Sequence, residues 1–247
     1  MKNTTLHFRD EVAFDQRRIS PRGLLERPRE HDLRAQTAWR RLVQDVEYVI
    51  MKAVILEVND EELARRRLTG IDRFDEMWEG VLHMAPAPMY EHQRMVAELD
   101  RFLGPLCQHH GRGVLAVQIN VFNEASATPD YRIPDLTFVA AGREHVIARD
   151  GVRGGGPDAV IEVRSPEDET YDKFPFFAQL GVREVIVVHR DTKQLEIYRL
   201  AGSQYVVVQM DPDRWLRSEV LQVRFTSTDA RRLVVEDLDD PSVRVEV

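Results

Sequence analysis

Apolar and polar residues alternate in short runs from about residue 51 onward, and the pattern switches between strand and helix spacing. Phe74–Met84 alternates as a β-hairpin does, with a turn near Glu79-Gly80. Glu91–Leu103 repeats apolar residues at helical spacing, which predicts an amphipathic helix interrupted by Gly104-Pro105. The pattern therefore predicts a mixed fold that contains both helices and strands.

Further short apolar runs predict a series of strands. They are Val114–Phe122, Arg132–Val139, Ala159–Arg164, Val185–Val188, Gln194–Leu200, Tyr205–Met210 and Val220–Phe225. A short helix over Phe176–Leu180 separates the third strand from the fourth, so these elements form a candidate βαβ unit. Such a unit is right-handed if both strands share one sheet.

Residues 1–50 differ from the rest of the chain. They are rich in arginine and contain few apolar repeats, and only Asp32–Ile50 has helical spacing. We therefore predict two parts: a poorly ordered extension over 1–50 and a folded domain over 51–247. A basic arm that touches DNA is the alternative for the first part.

Charge and composition narrow the classes of function. The 247 residues carry a net charge of −8, and residues 51–247 alone carry −10. An acidic body argues against a tight, non-specific nucleic-acid binder, but it does not exclude an enzyme that recruits a divalent cation to acidic side chains. The single cysteine, the absence of a secretory apolar segment at the N-terminus and the lack of a membrane-length apolar run lead us to expect a cytoplasmic protein without membrane contact.

Two carboxylates lie among apolar strand residues. Asp135 belongs to the run Arg132–Val139 and Glu162 to the run that follows it. A buried carboxylate is costly unless it is paired or binds a metal, and paired strands could bring both to one spot that suits Mg2+. Lys173 follows eleven residues after Glu162 and could orient a metal-bound water. The alternative is structural, because Arg132 or Arg164 could pair with these acids.

Several short motifs occur together between Met51 and Leu200. They are Trp78-Glu79-Gly80, Glu91-His92-Gln93, Pro134-Asp135-Leu136, Pro157-Asp158, Glu162-Val163-Arg164-Ser165-Pro166, Asp172-Lys173 and Gly181-Val182-Arg183-Glu184-Val185. In this combination the segment resembles the Uma-type family of restriction endonucleases, within the PD-(D/E)XK nuclease superfamily. The resemblance implies a restriction-endonuclease-like core, with a central mixed sheet flanked by helices and an N-terminal β-hairpin.

The resemblance also implies roles for particular residues. Asp135 matches the PD aspartate and Glu162 the second acid, and the backbone carbonyl of Val163 would complete a site for Mg2+ or Mn2+. The strand position where the superfamily carries lysine is Arg164 in this chain. Because Arg does not deprotonate and differs from Lys in geometry, Lys173 on the following helix is the better match for the lysine role.

The first turn of the helix that precedes the sheet provides secondary candidates. Glu91 could face the metal site, or it could only complement the positive end of the helix dipole. His92 is either a further site residue or an ordinary hydrogen-bonding histidine. Arg164 is the third secondary candidate, after Glu91 and His92.

The function implied by this resemblance is a metal-dependent endonuclease that hydrolyses DNA phosphodiester bonds. Two alternatives stay open at this point: a catalytically inactive nuclease-fold binding protein, and an acidic module that binds other proteins. DNA is the expected substrate. A homodimer is a further expectation, since many nucleases that cut both strands act as dimers.

Overall fold

The structure is a computed structural model that describes residues 53–55, 58–85, 87–166 and 168–247. The predicted extension over 1–50 and its helix lie outside the described residues. The helices are α1 (Asp60–Thr69), α2 (Tyr90–His109) and α3 (Phe174–Gln179), and short 3-10 turns span Glu144–Val146 and Tyr171–Lys173. No helix in the described part of the chain is long and apolar enough to span a membrane.

Seventeen strands are described. They are β1 (Ala53–Ile55), β2 (Asp75–Trp78), β3 (Val81–Met84), β4 (Gly113–Val117), β5 (Asn120–Phe122), β6 (Tyr131–Arg132), β7 (Leu136–Ala140), β8 (Ile147–Ala148), β9 (Gly151–Val152), β10 (Ala159–Arg164), β11 (Glu184–His189), β12 (Leu195–Ala201), β13 (Gln204–Val207), β14 (Leu216–Ser218), β15 (Val223–Ser227), β16 (Leu233–Asp237) and β17 (Arg244–Glu246).

A six-stranded sheet forms the centre of the fold, with the strand order β13-β12-β11-β10-β7-β4. In this sheet β10 pairs in parallel with β11, through a crossover that contains α3, and antiparallel with β7. The hairpin β2–β3 belongs to a second sheet, where the neighbours run β3-β2-β6-β5-β9-β8, and β14 to β17 form a third. The predicted mixed α and β fold, with its N-terminal hairpin, is confirmed.

Helices cover the central sheet on both faces. Leu99 and Leu103 of α2 are fully buried in one apolar cluster, which also contains Ile161 of β10. Phe177 of α3 packs in a second cluster together with Val160 from the same strand. Burial on both faces explains why β10 reads as a nearly continuous apolar run in the sequence.

Helix α2 does not break at Gly104-Pro105, as the sequence led us to expect, but continues to His109. Proline lacks the N–H group for one helical hydrogen bond, which normally disfavours a helix interior. Here the last turn buries Leu106 and Cys107 in the core cluster, and we infer that this packing outweighs the lost bond.

Two of the predicted strands are each divided between sheets. Val114–Phe122 splits into β4 and β5 around Gln118, whose φ of 49° is incompatible with a regular strand. Arg132–Val139 splits into β6 and β7 around Ile133-Pro134-Asp135. Proline cannot donate a ladder hydrogen bond, and the break places Asp135 directly before β7.

Candidate active site

The two carboxylates predicted from the sequence lie where β7 and β10 meet. These strands pair antiparallel, with Leu136 opposite Ile161 as the last pair. The next pair in this register is Asp135 and Glu162. Asp135 itself directly precedes β7, and its charge adds to the raised pKa of Glu162, so the two carboxylates lie near each other.

Asp135 is held by the neighbouring strand and by α2. The backbone N–H of Val163 donates to Asp135 Oδ2 over 2.8 Å. His92 Nε2 lies 3.2 Å from the same oxygen, while His92 Nδ1 is buried without a hydrogen-bond partner among the described residues. Glu91 on the same turn is exposed, and its charge acts on Arg190. Of the two candidates on this turn, His92 is therefore the one in contact with Asp135.

Lys173 reaches the same cluster from the 3-10 turn that precedes α3. Its Nζ atom lies 2.8 Å from Glu76 Oε1 and 3.3 Å from Glu162 Oε1. Pro175 occupies the first turn of α3, where the missing N–H group costs nothing, and the helix begins two residues before the predicted Phe176. The structure thus brings Asp135, Glu162 and Lys173 together.

Glu76 on β2 is a member of the cluster that sequence reasoning missed. Its Oε1 also accepts from the Ile133 N–H over 2.8 Å, and its Oε2 accepts from Trp78 Nε1 over 2.9 Å. The signal for Glu76 in the sequence was only that it is an acid within a predicted hairpin strand. Nothing in the local pattern, however, showed that this hairpin lies beside Lys173.

The two arginines proposed as structural partners for the acids have other contacts. Arg132 Nη1 donates to Asp130 over 2.8 Å, and its guanidinium lies over the rings of Trp78 and Phe176. Arg164 lies over the ring of Tyr171. Lys173 is therefore the cation that the described residues place against the buried acids.

The cluster carries more negative than positive charge. Glu76, Asp135 and Glu162 are only 7%, 8% and 5% exposed. Glu76 and Glu162 share the single ammonium group of Lys173, whereas Asp135 contacts His92 and the Val163 amide. Burial raises the pKa of Glu162 to about 8; Lys173 opposes this shift, whereas Asp135 and Glu76 add to it. Burial alone would lower the pKa of Lys173, but the charges of Glu162 and Glu76 raise it, so the amine stays protonated.

This donor set fits a hard divalent cation. Carboxylate and carbonyl oxygens are the ligands that Mg2+ takes from proteins, usually one or two carboxylates with water and phosphate completing the shell. Asp135 and Glu162 offer carboxylate oxygens of this kind, and the carbonyl of Val163 is the further ligand that the resemblance implies. A cation beside them would also offset the excess negative charge that raises the pKa of Glu162.

A second acidic group lies at the end of α2. His110, Asp237 and Asp239 are the only three such side chains, among the described residues, whose ligand atoms all lie within 4.8 Å of one another. Arg112 Nη2, however, lies 2.6 Å from an oxygen of each of the two aspartates. The guanidinium already occupies the place of a cation, so this group joins α2 to the C-terminal sheet.

Comparison with known proteins identifies the family. Residues 61–231 match the model of the Uma2 family, described as "Putative restriction endonuclease". The match spans more than half of the sequence, and the chain belongs to this family. Membership confirms the resemblance found in the sequence and supports a nuclease function in general terms.

Two further comparisons add little. No curated protein matches the sequence. One similar crystal structure is that of a "putative nuclease belonging to DUF820" from Anabaena variabilis, with 15% sequence identity and a TM-score of 0.49. That alignment covers 60% of this chain and 82% of the other.

Proposed function

We propose that this protein is a metal-dependent endonuclease that hydrolyses phosphodiester bonds in DNA. Asp135 and Glu162, with the backbone carbonyl of Val163, would hold Mg2+ or Mn2+. The observation that carries the proposal is a cluster of three buried carboxylates in which Glu76 and Glu162 share one lysine, so that negative charge is left uncompensated. Family membership supports the nuclease class.

A divalent cation at this site would polarise the phosphate and acidify a bound water molecule. The protein's own residues prepare the site for this chemistry. The Val163 amide fixes Asp135, and His92 contacts the same carboxylate oxygen, so the acid needs no reorganisation when substrate arrives. The separation between the strands is set by the sheet, which makes the placement rigid.

Lys173 acts as a hydrogen-bond donor and a fixed positive charge. Because the neighbouring acids raise its pKa, it stays protonated and cannot serve as a general base. Its ammonium group can orient the attacking water and stabilise negative charge that develops on the phosphate. Glu76 is a positioning residue, since it holds Lys173 and is itself anchored by the Ile133 amide and Trp78.

Cleavage of supercoiled plasmid DNA tests the proposal. With Mg2+ or Mn2+ the wild-type protein should nick or linearise the plasmid, and EDTA should stop the reaction. Asp135→Asn and Glu162→Gln should each lower the single-turnover rate by about 100-fold or more, because each removes charge that holds the cation. Lys173→Ala should also slow cleavage by about 100-fold while leaving metal binding largely intact.

A matched control is Glu144→Gln, which changes an exposed glutamate in the loop after β7 and should leave the rate unchanged. Equal rates for Lys173→Ala and wild type would contradict the role of the lysine. A wild-type protein that binds DNA but neither binds metal at millimolar concentration nor cleaves would instead be an inactive member of the fold.

A further inference from the structure

Arg164 lies one step further along the same strand face as Glu162. The two residues are two positions apart in β10, so their side chains project from one face about 6.6 Å from each other along the strand. Tyr171 and Lys173 are likewise two positions apart in the 3-10 turn opposite. Lys173 contacts Glu162, and Tyr171 lies under Arg164, with 5.1 Å between Cζ and the ring centroid.

The hydrogen-bonding capacity of Arg164 is largely unused. A guanidinium has five N–H donors. The Nη1 atom lies 3.4 Å from His189 Nδ1, and Nε is buried without a hydrogen-bond partner among the described residues. Asp168 comes only within 3.8 Å, and its two oxygens accept from the amides of Ser165 and Thr170.

The surroundings hold Arg164 in place while leaving it accessible. The hydroxyl of Tyr171 donates to Glu196 over 2.8 Å, and Tyr198 donates to the same carboxylate over 2.7 Å. His189 is the neighbour of Arg164 in the parallel register and lies 3.4 Å from Glu196. The Arg164 side chain is 27% exposed, so an anion can reach it from solvent.

We propose that Arg164 binds a phosphate of the DNA strand next to the phosphate that is cleaved. This inference rests on the proposed nuclease function. A guanidinium on an aromatic ring is preorganised for bidentate contact with phosphate oxygens, and the carboxyl ends of parallel strands are where such sheets bind ligands. The offset of about 6.6 Å from Glu162 equals about two nucleotide rises of 3.4 Å along the helix axis, so Arg164 can reach a phosphate within two positions of the one that is cleaved.

The proposal divides two tasks between two cations. Lys173 lies at the buried acids and acts on the reacting phosphate, whereas Arg164 lies nearer the solvent and holds the strand. This division explains why the strand position carries arginine, where the resemblance implies lysine. Arginine suits the binding of a phosphate because it has a fixed charge and a broad fork of donors.

DNA binding in EDTA, followed by fluorescence anisotropy of a labelled 20-base-pair duplex, tests this contact. Arg164→Ala should weaken binding by about 10-fold at moderate salt. It should also lower the slope of log K against log salt by about 0.9, the value for one phosphate contact. Arg164→Lys should retain most of the slope. The matched control is Arg183→Ala, which changes another exposed arginine, directly before β11. It should change neither the affinity for DNA nor the salt slope.

Single-turnover cleavage with Mg2+ then separates binding from chemistry. The loss in Arg164→Ala should appear as a higher half-saturating DNA concentration, with the saturated rate reduced far less than in Lys173→Ala. An unchanged salt slope, or a saturated rate as low as that of Lys173→Ala with intact binding, would overturn the proposal. If the wild-type protein binds DNA through Arg164 in a salt-dependent way but does not cleave it, the nuclease function is refuted. The contact between Arg164 and phosphate is still supported in that case.

Discussion

Two buried glutamates on neighbouring strands of the central sheet have very different surroundings. Glu184 begins β11 and is fully buried, and Glu162 lies near the end of β10 with 5% exposure. Glu184 is surrounded by donors. They are the Arg199 guanidinium, the Ser218 hydroxyl and the backbone amides of Glu219 and Val220.

The negative charge of Glu162 is compensated by far fewer donors. The one donor that the described residues give it is Lys173 at 3.3 Å, and this lysine is shared with Glu76. Asp135 and Glu76 add like charge nearby, which contributes to the raised pKa of Glu162. A buried acid with a full set of donors holds elements together, whereas one left short of donors marks a place for a ligand.

Neutralising each glutamate in turn should distinguish the two residues most clearly in the stability of the protein. Glu184→Gln should lower the free energy of unfolding by about 2–3 kcal/mol, because charge-assisted hydrogen bonds are lost and their buried donors are left poorly matched. Glu162→Gln should leave the stability unchanged or raise it. Urea denaturation in EDTA measures both, and equal losses in the two variants would contradict the distinction.

The pH dependence of stability provides a smaller and sharper effect. The pKa of Glu162 in the folded protein is about 8, above its ordinary value of 4.5, so the folded state holds this proton more tightly than the unfolded state. Wild-type stability should therefore fall as the pH rises from about 5 to 8, whereas Glu162→Gln lacks this contribution. The gap in unfolding free energy between Glu162→Gln and wild type should therefore widen steadily over that range.

Denaturation in EDTA at several pH values measures this gap. The exposed Glu144→Gln control should run parallel to wild type. If the unfolding free energies of Glu162→Gln and wild type depend on pH in the same way, the pKa of Glu162 is not raised in the folded protein. The cluster then has no excess negative charge.

Much of the candidate site could be predicted from the sequence because three of its members lie close together along the chain. Asp135 directly precedes β7, Glu162 lies in β10, and Lys173 lies in the 3-10 turn before α3, with only one 3-10 turn and the short strands β8 and β9 between β7 and β10. Glu76 could not be predicted in the same way. It comes from a hairpin of another sheet, and its approach to Lys173 is set by packing between distant segments.

The fold differs from expectation where local signals compete with packing. Gly104-Pro105 is a local signal to end a helix, yet burial of the following turn keeps α2 intact. The apolar run Val114–Phe122 reads as one strand, but the turn at Gln118 sends its two halves into different sheets. Periodicity identifies an element type but does not specify which sheet a strand joins.

Calorimetric titration of Mn2+ tests most directly whether the uncompensated cluster is the metal site. The wild-type protein should bind Mn2+, and Asp135→Asn and Glu162→Gln should each weaken binding by at least about 10-fold, because each removes a ligand charge. Asp239→Asn, in the acidic group that Arg112 already neutralises, should bind as wild type does. Equal binding in Glu162→Gln and wild type, or a loss of binding in Asp239→Asn, would contradict the account.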